Sequence, residues 1–179
     1  MKRFEGRVAL ITAAAAGLGE AGARRIASEG GRVTIWDRDA QALEAARRKA
    51  ADDGLELETD TIDMLDRDAI EAGVARLVER EGKVDILVNN VGGSLHVPFR
   101  FLEQTDEDWR KVLDINIMPS VWTARAVIPG MRKAGYGRIV NMGSKAGRYG
   151  SLFAGTPYSA AKGAIQSFTI QLAQEFGPD

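Results

Sequence analysis

Short apolar runs recur along the chain at residues 7–12, 32–36, 55–59, 84–88 and 136–142. Most of them are rich in Val, Ile and Leu, and they end at polar or glycine-bearing turns. Runs of this length and composition are typical of strands that are buried on both faces of a parallel sheet. We therefore predict five strands, one for each run.

Between the runs, apolar residues recur at helical spacing, which predicts helices over residues 18–29, 40–53, 67–81, 105–133 and 158–176. Asp39 and Asp66 precede two of these patterns and are typical N-cap residues. Pro119 and Pro129 lie inside the 105–133 pattern and predict a bend or a fixed register there. Because strands and helices alternate strictly, we predict an α/β fold with a doubly wound parallel sheet and helices on both faces.

Length, composition and charge narrow the class of protein. The 179 residues, 45% of them apolar, suffice for one domain that spans residues 1–179. A net charge of -1 gives no electrostatic reason to expect nucleic acid or an acidic membrane as a partner. The absence of Cys and the single His exclude disulfides and Cys/His zinc sites, and we predict no metal. No stretch approaches the length of a membrane span, so we expect a soluble, cytoplasmic protein that acts on small molecules.

The turn after the first predicted strand carries small residues of the kind that surround bound phosphates. Thr12 ends this strand, Gly17, Leu18 and Gly19 open the next helix, and Asp37 ends the second strand. Small residues let the backbone approach a pyrophosphate, the helix N-terminus attracts it, and a carboxylate about 20 positions further on bonds the ribose diol. The constellation predicts a dinucleotide site, and an alanine-rich turn that binds nothing is the alternative.

A second constellation lies near the end of the chain. Tyr158 and Lys162 are four positions apart, so on a helix they share one face. A cation beside a phenol favours the phenolate and lowers the Tyr pKa from about 10 toward neutral pH, where a proton donor and acceptor works best. Ser144, at the end of the fifth predicted strand, can hold a substrate oxygen.

The order of these motifs resembles the classical short-chain dehydrogenases/reductases along essentially the whole chain. The matching positions are Thr12-x-x-x-x-Gly17-x-Gly19, Asp37, Asn89-Asn90-Val91-Gly92, Asn116, Gly143-Ser144 and Tyr158-x-x-x-Lys162. The resemblance implies a Rossmann fold with sheet order 3-2-1-4-5 and an oxidoreductase that moves a hydride between a nicotinamide cofactor and a small alcohol or ketone. A nucleotide-binding module of the same fold with little turnover is the alternative function.

The resemblance also implies the residues that hold the cofactor. NAD is expected rather than NADP, because Asp37 repels a 2′-phosphate and Ala16 adds no cation, whereas Arg38 acts in the opposite direction. The other implied contacts with the cofactor come from the phosphate-binding turn, the presumed adenine pair and the loop after the fourth strand. They are Thr12, Gly17, Leu18, Gly19, Asp63, Met64, Asn90, Val91, Gly92, Tyr158 and Lys162.

By the same resemblance, Asn116, Ser144, Tyr158 and Lys162 are the catalytic residues. Ser144 holds the substrate oxygen, Tyr158 exchanges its proton, and Lys162 lowers the Tyr158 pKa and bonds the nicotinamide ribose. Asn116 links Lys162 to solvent through a water, or else it is a core amide that pairs backbone freed near Pro119. The lone His96 follows the Asn89–Gly92 loop and is either a substrate contact or a surface residue, and we do not assign it as the base.

Two further expectations follow from departures from the family pattern. Ala13 stands where the family has Gly, which costs on the order of 1 kcal/mol if the position needs a positive φ and little if it needs only a small residue. Relatives continue past the helix that ends near Phe176 with a sixth strand, a lid and a seventh strand, so we expect this chain to be an incomplete version of the fold.

Apolar residues on helices 105–133 and 158–176 predict a homodimer or homotetramer, as in relatives.

Overall fold

The computed structural model describes residues 2–178, and its centre is a five-stranded parallel sheet. The strands are β1 (Val8–Thr12), β2 (Arg32–Asp37), β3 (Glu58–Thr61), β4 (Ile86–Asn89) and β5 (Arg138–Asn141). Their order in the sheet is β3-β2-β1-β4-β5, and all neighbouring pairs are parallel. The predicted fold class and strand order are therefore confirmed.

Helices cover both faces of this sheet. They are α1 (Gly17–Ser28), α2 (Ala40–Asp52), α3 (Arg67–Glu81), α4 (Asp106–Ala134), the short α5 (Ala146–Tyr149) and α6 (Thr156–Phe176). A single 3₁₀ turn, Phe101–Glu103, precedes α4 within the described part of the chain. Among residues 2–178, no helix is both long and apolar enough to cross a membrane.

The two halves of the core lie on opposite faces of the sheet because successive strand side chains alternate in direction. Ala9 and Ile11 of β1 pack in a cluster with residues of α1 and α2. Val8 and Leu10, from the same strand, pack in the other cluster with residues of α3 and α4. All five residues of β1 are buried, which explains why this strand reads as a continuous apolar run.

Side-chain caps fix where three of the helices begin. Asp39 accepts hydrogen bonds from two backbone N–H groups at the start of α2, and Asp66 accepts one at the start of α3. Thr105 and Asp108 form a reciprocal capping box at the start of α4. The predicted N-caps Asp39 and Asp66 are confirmed.

The third strand was predicted at residues 55–59 but lies at Glu58–Thr61. The apolar signal came from Leu55 and Leu57, which precede the strand. The Leu55 N–H donates to the Ala50 carbonyl and so closes the end of α2, while the Leu57 side chain is buried in the core beside that helix. The strand itself lies at the edge of the sheet and is polar, so its periodicity gave no signal.

The predicted helix over residues 105–133 is confirmed, and α4 runs as one helix through Pro119 and Pro129. One further difference concerns the chain after β5. The glycine-rich segment after β5, which was predicted to be a loop, contains the short helix α5.

Candidate active site

The predicted functional residues gather at one edge of the sheet, where the carboxyl ends of parallel strands meet. Thr12 pairs in register with Trp36, so the turn after β1 lies beside Asp37 at the end of β2. Asn89 pairs with Asn141, so the loops after β4 and β5 also start side by side. The sheet thus brings the proposed phosphate turn and the proposed catalytic loop to one edge.

The turn after β1 is fixed by contacts with the loop after β4. The Asn90 backbone N–H donates to the Thr12 hydroxyl at 3.1 Å, and the Asn90 side-chain amide donates to the Ala13 carbonyl at 2.7 Å. Ala13 adopts a φ of 50°, in the left-handed region. The position therefore needs a positive φ, so the expected cost of Ala13 on the order of 1 kcal/mol applies.

The N-terminus of α1 has the properties of an anion site. Its N-cap residue, Ala16, makes no side-chain hydrogen bond, unlike the capped starts of α2, α3 and α4. A Cβ built on Gly17 would meet no atom within 4 Å, whereas one on Gly19 would lie 2.7 Å from the Asn90 amide nitrogen. Gly17 thus borders open space and Gly19 allows the helix to pack closely, while the Leu18 side chain is exposed. An uncapped helix start bordered by open space fits a pyrophosphate.

Asp37 is held close to this turn. One carboxylate oxygen accepts from the Ala15 N–H at 3.3 Å and the other from the Asp39 N–H at 3.2 Å. Its side chain is half-buried, and the neighbouring Arg38 is exposed. The carboxylate therefore lies beside the turn after β1, at the edge where the strands end.

The presumed adenine pair lies beyond β3, and its two members differ. Asp63 is exposed and accepts a hydrogen bond from the Leu65 N–H at 2.9 Å. Met64 is 4% exposed and packs in the core, as does Val91 of the loop after β4. The side chains of Met64 and Val91 therefore stabilise the fold, and only their backbone can contact a ligand.

Asn116 clamps the loop after β4. Its side chain is 1% exposed, and its amide nitrogen donates to the Gly93 carbonyl at 2.8 Å and to the Val112 carbonyl at 2.7 Å. Its oxygen accepts from the Gly93 N–H at 3.1 Å. These partners differ from the backbone near Pro119 that a purely structural amide was expected to pair.

Lys162 is the most unusual group of the site. Its side chain is buried, and its Nζ donates to the Met142 carbonyl at 2.8 Å and lies 5.7 Å from the centre of the Tyr158 ring. Within residues 2–178 no carboxylate forms an ion pair with it. Burial lowers the pKa of the Lys162 ammonium, because desolvation disfavours the charged form.

Gly92 passes between two of these groups. A Cβ at this position would lie 2.5 Å from the Asn116 side-chain oxygen and 3.1 Å from Lys162 Nζ. Its φ of 144° is outside the range that side-chain-bearing residues favour. The backbone of Gly92 thus lies against both the Asn116 side chain and the Lys162 ammonium.

Ser144 follows β5 and lies at the start of α5. Its hydroxyl oxygen accepts from the Ala146 N–H at 3.1 Å, which leaves the hydroxyl proton able to bond a ligand. A Cβ on Gly147 would lie 2.5 Å from the Lys162 carbonyl carbon, so α5 packs directly on the backbone of α6. Ser144 and Lys162 are thereby held on adjoining segments.

His96 lies outside this cluster of bonds. It is exposed, and both it and Leu95 have a φ of 54°. The structure gives His96 no hydrogen bond to any of the four proposed catalytic residues, and it stays unassigned.

Sequence reasoning missed a polar chain beneath the site. The Asn89 amide donates to the Asn141 side-chain oxygen at 2.8 Å, and the Thr123 hydroxyl lies 2.6 Å from the Asn89 side-chain oxygen. The Asn141 amide donates to the Thr169 hydroxyl at 3.0 Å. Asn residues at the ends of two predicted strands were the available signal that these amides need partners, but they do not say which partners.

Comparison with known proteins agrees with the geometry. The model of the short chain dehydrogenase family matches residues 7–179. A short-chain reductase from Streptomyces niveus is 39% identical over 174 residues, which cover 96% of this chain and 64% of that protein. The 2-dehydro-3-deoxy-L-rhamnonate dehydrogenase (NAD(+)) of a Sphingomonas species is 37% identical over 174 residues, which cover 97% of this chain and 67% of the relative.

Solved structures extend the comparison to the fold. NAD⁺-bound xylitol dehydrogenase superposes with a TM-score of 0.93 at 33% identity, over 99% of this chain and 67% of that chain. Actinorhodin polyketide ketoreductase with NADPH superposes with a TM-score of 0.89 at 36% identity, over 98% of this chain and 66% of that chain. This chain thus spans about two thirds of the length of the relatives it matches. It belongs to the short-chain dehydrogenase/reductase family of oxidoreductases.

Proposed function

We propose that this protein transfers a hydride between NAD and a small alcohol or ketone, with Tyr158 as the acid and base. The observation that carries the proposal is the environment of Lys162. A buried ammonium without a carboxylate partner lies beside a phenol and has one hydrogen bond among the described residues, to the Met142 carbonyl. Such a cation is costly to bury, and it is explained if a ligand completes its hydrogen bonds.

The residues at this edge of the sheet would hold a nicotinamide dinucleotide. Gly17 and Gly19 at the uncapped start of α1 would receive the pyrophosphate, and Asp37 would bond the adenosine ribose. The backbone of the 63–64 segment would border the adenine, and Asn90 and Gly92 would flank the nicotinamide ribose. When bound, this cofactor donates or accepts the hydride.

We propose NAD rather than NADP because of the position of Asp37. Its carboxylate adjoins the Ala15 N–H, so a 2′-phosphate on the same ribose would face a negative charge at short range. Arg38 is exposed and would weaken this discrimination. Relatives of known structure were solved with either NAD⁺ or NADPH, so the preference is a property to be measured on this chain.

The proton steps are assigned to four residues. Ser144 would hold the substrate oxygen through its free hydroxyl proton, and Tyr158 would take the alcohol proton or return it to the ketone. Lys162 would stabilise the Tyr158 phenolate electrostatically and donate to the nicotinamide ribose. Asn116 would hold the Gly93 backbone and position a water that connects Lys162 with solvent.

The test is turnover of a panel of secondary alcohols with NAD, measured as the production of reduced cofactor. Tyr158→Phe should abolish turnover while the Kd for NAD stays nearly unchanged, because the change deletes a proton path and little surface. Lys162→Met should impair both. Wild-type kcat in Tyr158→Phe would refute the assignment, and NAD binding by the wild type without any turnover would favour the binding-module alternative.

A further inference from the structure

The buried face of α6 carries more polar groups than the proposed chemistry uses. Tyr158, Lys162, Gln166 and Thr169 follow one another at spacings of four, four and three residues, so they form one stripe along the helix. Tyr158 and Lys162 belong to the proposed reaction. Gln166 and Thr169 have no role in it.

Both residues bond the segment that carries Ser144. The Gln166 side-chain amide donates to the Ser144 carbonyl at 3.2 Å. The Thr169 hydroxyl accepts from the Asn141 side-chain amide at 3.0 Å and donates to the Ile165 carbonyl at 2.7 Å. Together with the bond from Lys162 to the Met142 carbonyl, three side chains of one helix face hold residues 141–144.

These contacts reach the site through the backbone of Ser144. Its carbonyl accepts both the Gln166 amide and the Gly147 N–H, the latter at 3.1 Å, while its hydroxyl oxygen accepts the Ala146 N–H. Gln166 therefore fixes the peptide next to the hydroxyl that would hold the substrate oxygen. Thr169 acts further down, because it fixes Asn141 between β4 and α6.

We infer that Gln166 and Thr169 are positioning residues that set the distance between Ser144 and the Tyr158–Lys162 pair. The inference rests on the proposed function for its effect on turnover. Its physical basis is independent of that function, since the hydrogen bonds fix one segment of chain on one helix face. A displacement of about 1 Å at a reacting group is enough to lower a rate by up to about a hundredfold.

The first experiment compares Gln166→Leu with Gln171→Leu, a change on the exposed part of the same helix. Gln166→Leu should lower kcat by about tenfold and leave the Kd for NAD unchanged, and Gln171→Leu should change neither. Hydrogen exchange of the Ala146 and Gly147 amides should accelerate only in Gln166→Leu. Equal exchange in the two variants would overturn the inference, whether or not the protein turns over.

A pH profile separates positioning from a general loss of structure. In Gln166→Glu the ionised carboxylate cannot donate to the Ser144 carbonyl, but the protonated carboxyl can. Activity relative to wild type should therefore rise as the pH falls through the pKa of the introduced group, and Gln166→Leu should show no such rise. A flat ratio for Gln166→Glu would contradict the proposed hydrogen bond.

Thr169 is tested with its isostere. Thr169→Val keeps the shape but leaves the Asn141 amide unpaired, so kcat should fall severalfold with an unchanged Kd for NAD. Thr169→Ser retains the hydroxyl and should restore kcat. Failure of Thr169→Ser to exceed Thr169→Val would show that the methyl packing, and not the hydrogen bond, matters. A wild type without turnover would refute the proposed function, and the exchange of the Ala146 and Gly147 amides would still decide the inference.

Discussion

Gly92 is a position at which a single added methyl group should strongly destabilise the fold. The added Cβ in Gly92→Ala would lie 2.5 Å from the Asn116 oxygen, where an ordinary contact is at least 3.4 Å. Relief would require Asn116 to retreat by about 0.9 Å, which stretches its 3.1 Å hydrogen bond with the Gly93 N–H beyond any useful length. The clamp on the loop after β4 would then open.

The expected loss of stability has two parts. A side chain at a φ of 144° costs about 1–3 kcal/mol, because only glycine adopts this region readily. Loss of the hydrogen bond from the Gly93 N–H adds about 1–3 kcal/mol, because the donor is left without a partner. We expect the free energy of unfolding of Gly92→Ala to fall by about 2–6 kcal/mol, out of a typical total of about 5–15 kcal/mol.

The assay is urea denaturation followed by circular dichroism, with Gly93→Ala as the matched control. A Cβ on Gly93 meets no atom within 4 Å, and this variant should change the free energy of unfolding by less than about 1 kcal/mol. In Gly92→Ala/Asn116→Ala the colliding oxygen is gone, so the double change should cost less than the sum of the two single changes. Equal midpoints for Gly92→Ala and Gly93→Ala would refute the reasoning.

Four other predictions address the cofactor, the sheet, the assembly and the turn. Asp37→Ala should lower the ratio of kcat/KM for NAD to that for NADP, and a wild type that favours NADP would contradict the assignment. Burial raises the pKa of Asp85, but bonds from Lys83, Val8 and Arg7 outweigh burial and keep it below its usual value. This stabilisation is present above a pH of about 4 and is lost as the pH falls, so Asp85→Asn should flatten the acid limb of stability. Leu172 lines an apolar groove between α4 and α6, so light scattering should give a dimer or tetramer that Leu172→Glu dissociates, and a monomeric wild-type mass would count against it. Ala13→Gly should not lower the midpoint of thermal unfolding, since relief of the left-handed strain, about 1–2 kcal/mol, offsets the loss of one methyl group and the greater freedom of the unfolded chain.

Much of the fold could be predicted because its central strands are buried on both faces. β1 and β4 are apolar runs that are readily predicted as strands. Parallel strands need crossover connections, and the 3.6-residue periodicity predicted the helices that form them. The predicted bounds of β3 were wrong because β3 is a polar edge strand, while the buried Leu57 that precedes it packs with α2. The hydrophobic pattern indicates which residues are buried. At the edge of a sheet a strand need not be buried, so the pattern no longer indicates where the strand lies.

The site was predictable to the extent that the sheet itself creates it. Strand ends in a parallel sheet share one edge, so the order of motifs placed Thr12, Asp37 and Asn90 together. The lateral bonds could not be predicted, because they join segments far apart in the chain. Neither the donation from Gln166 to Ser144 nor the pairing of Asn89 with Asn141 follows from spacing along one element.

Among residues 2–178, glycine and backbone lie around Lys162, and no acid forms an ion pair with it. Gly92 lets main chain approach the Lys162 ammonium, Gly147 lets α5 approach the Lys162 backbone, and the Met142 carbonyl supplies a neutral acceptor. A carboxylate at the same distance would raise the ammonium pKa and occupy its donors. It would also compete for the positive charge with the phenolate that we propose at Tyr158. A neutral acceptor stabilises the ammonium less and uses one of its three donors, so the remaining two stay available to a ligand. Burial lowers the pKa of the Lys162 ammonium, and in the proposed reaction the absence of a paired acid among the described residues leaves two of its donors available for binding.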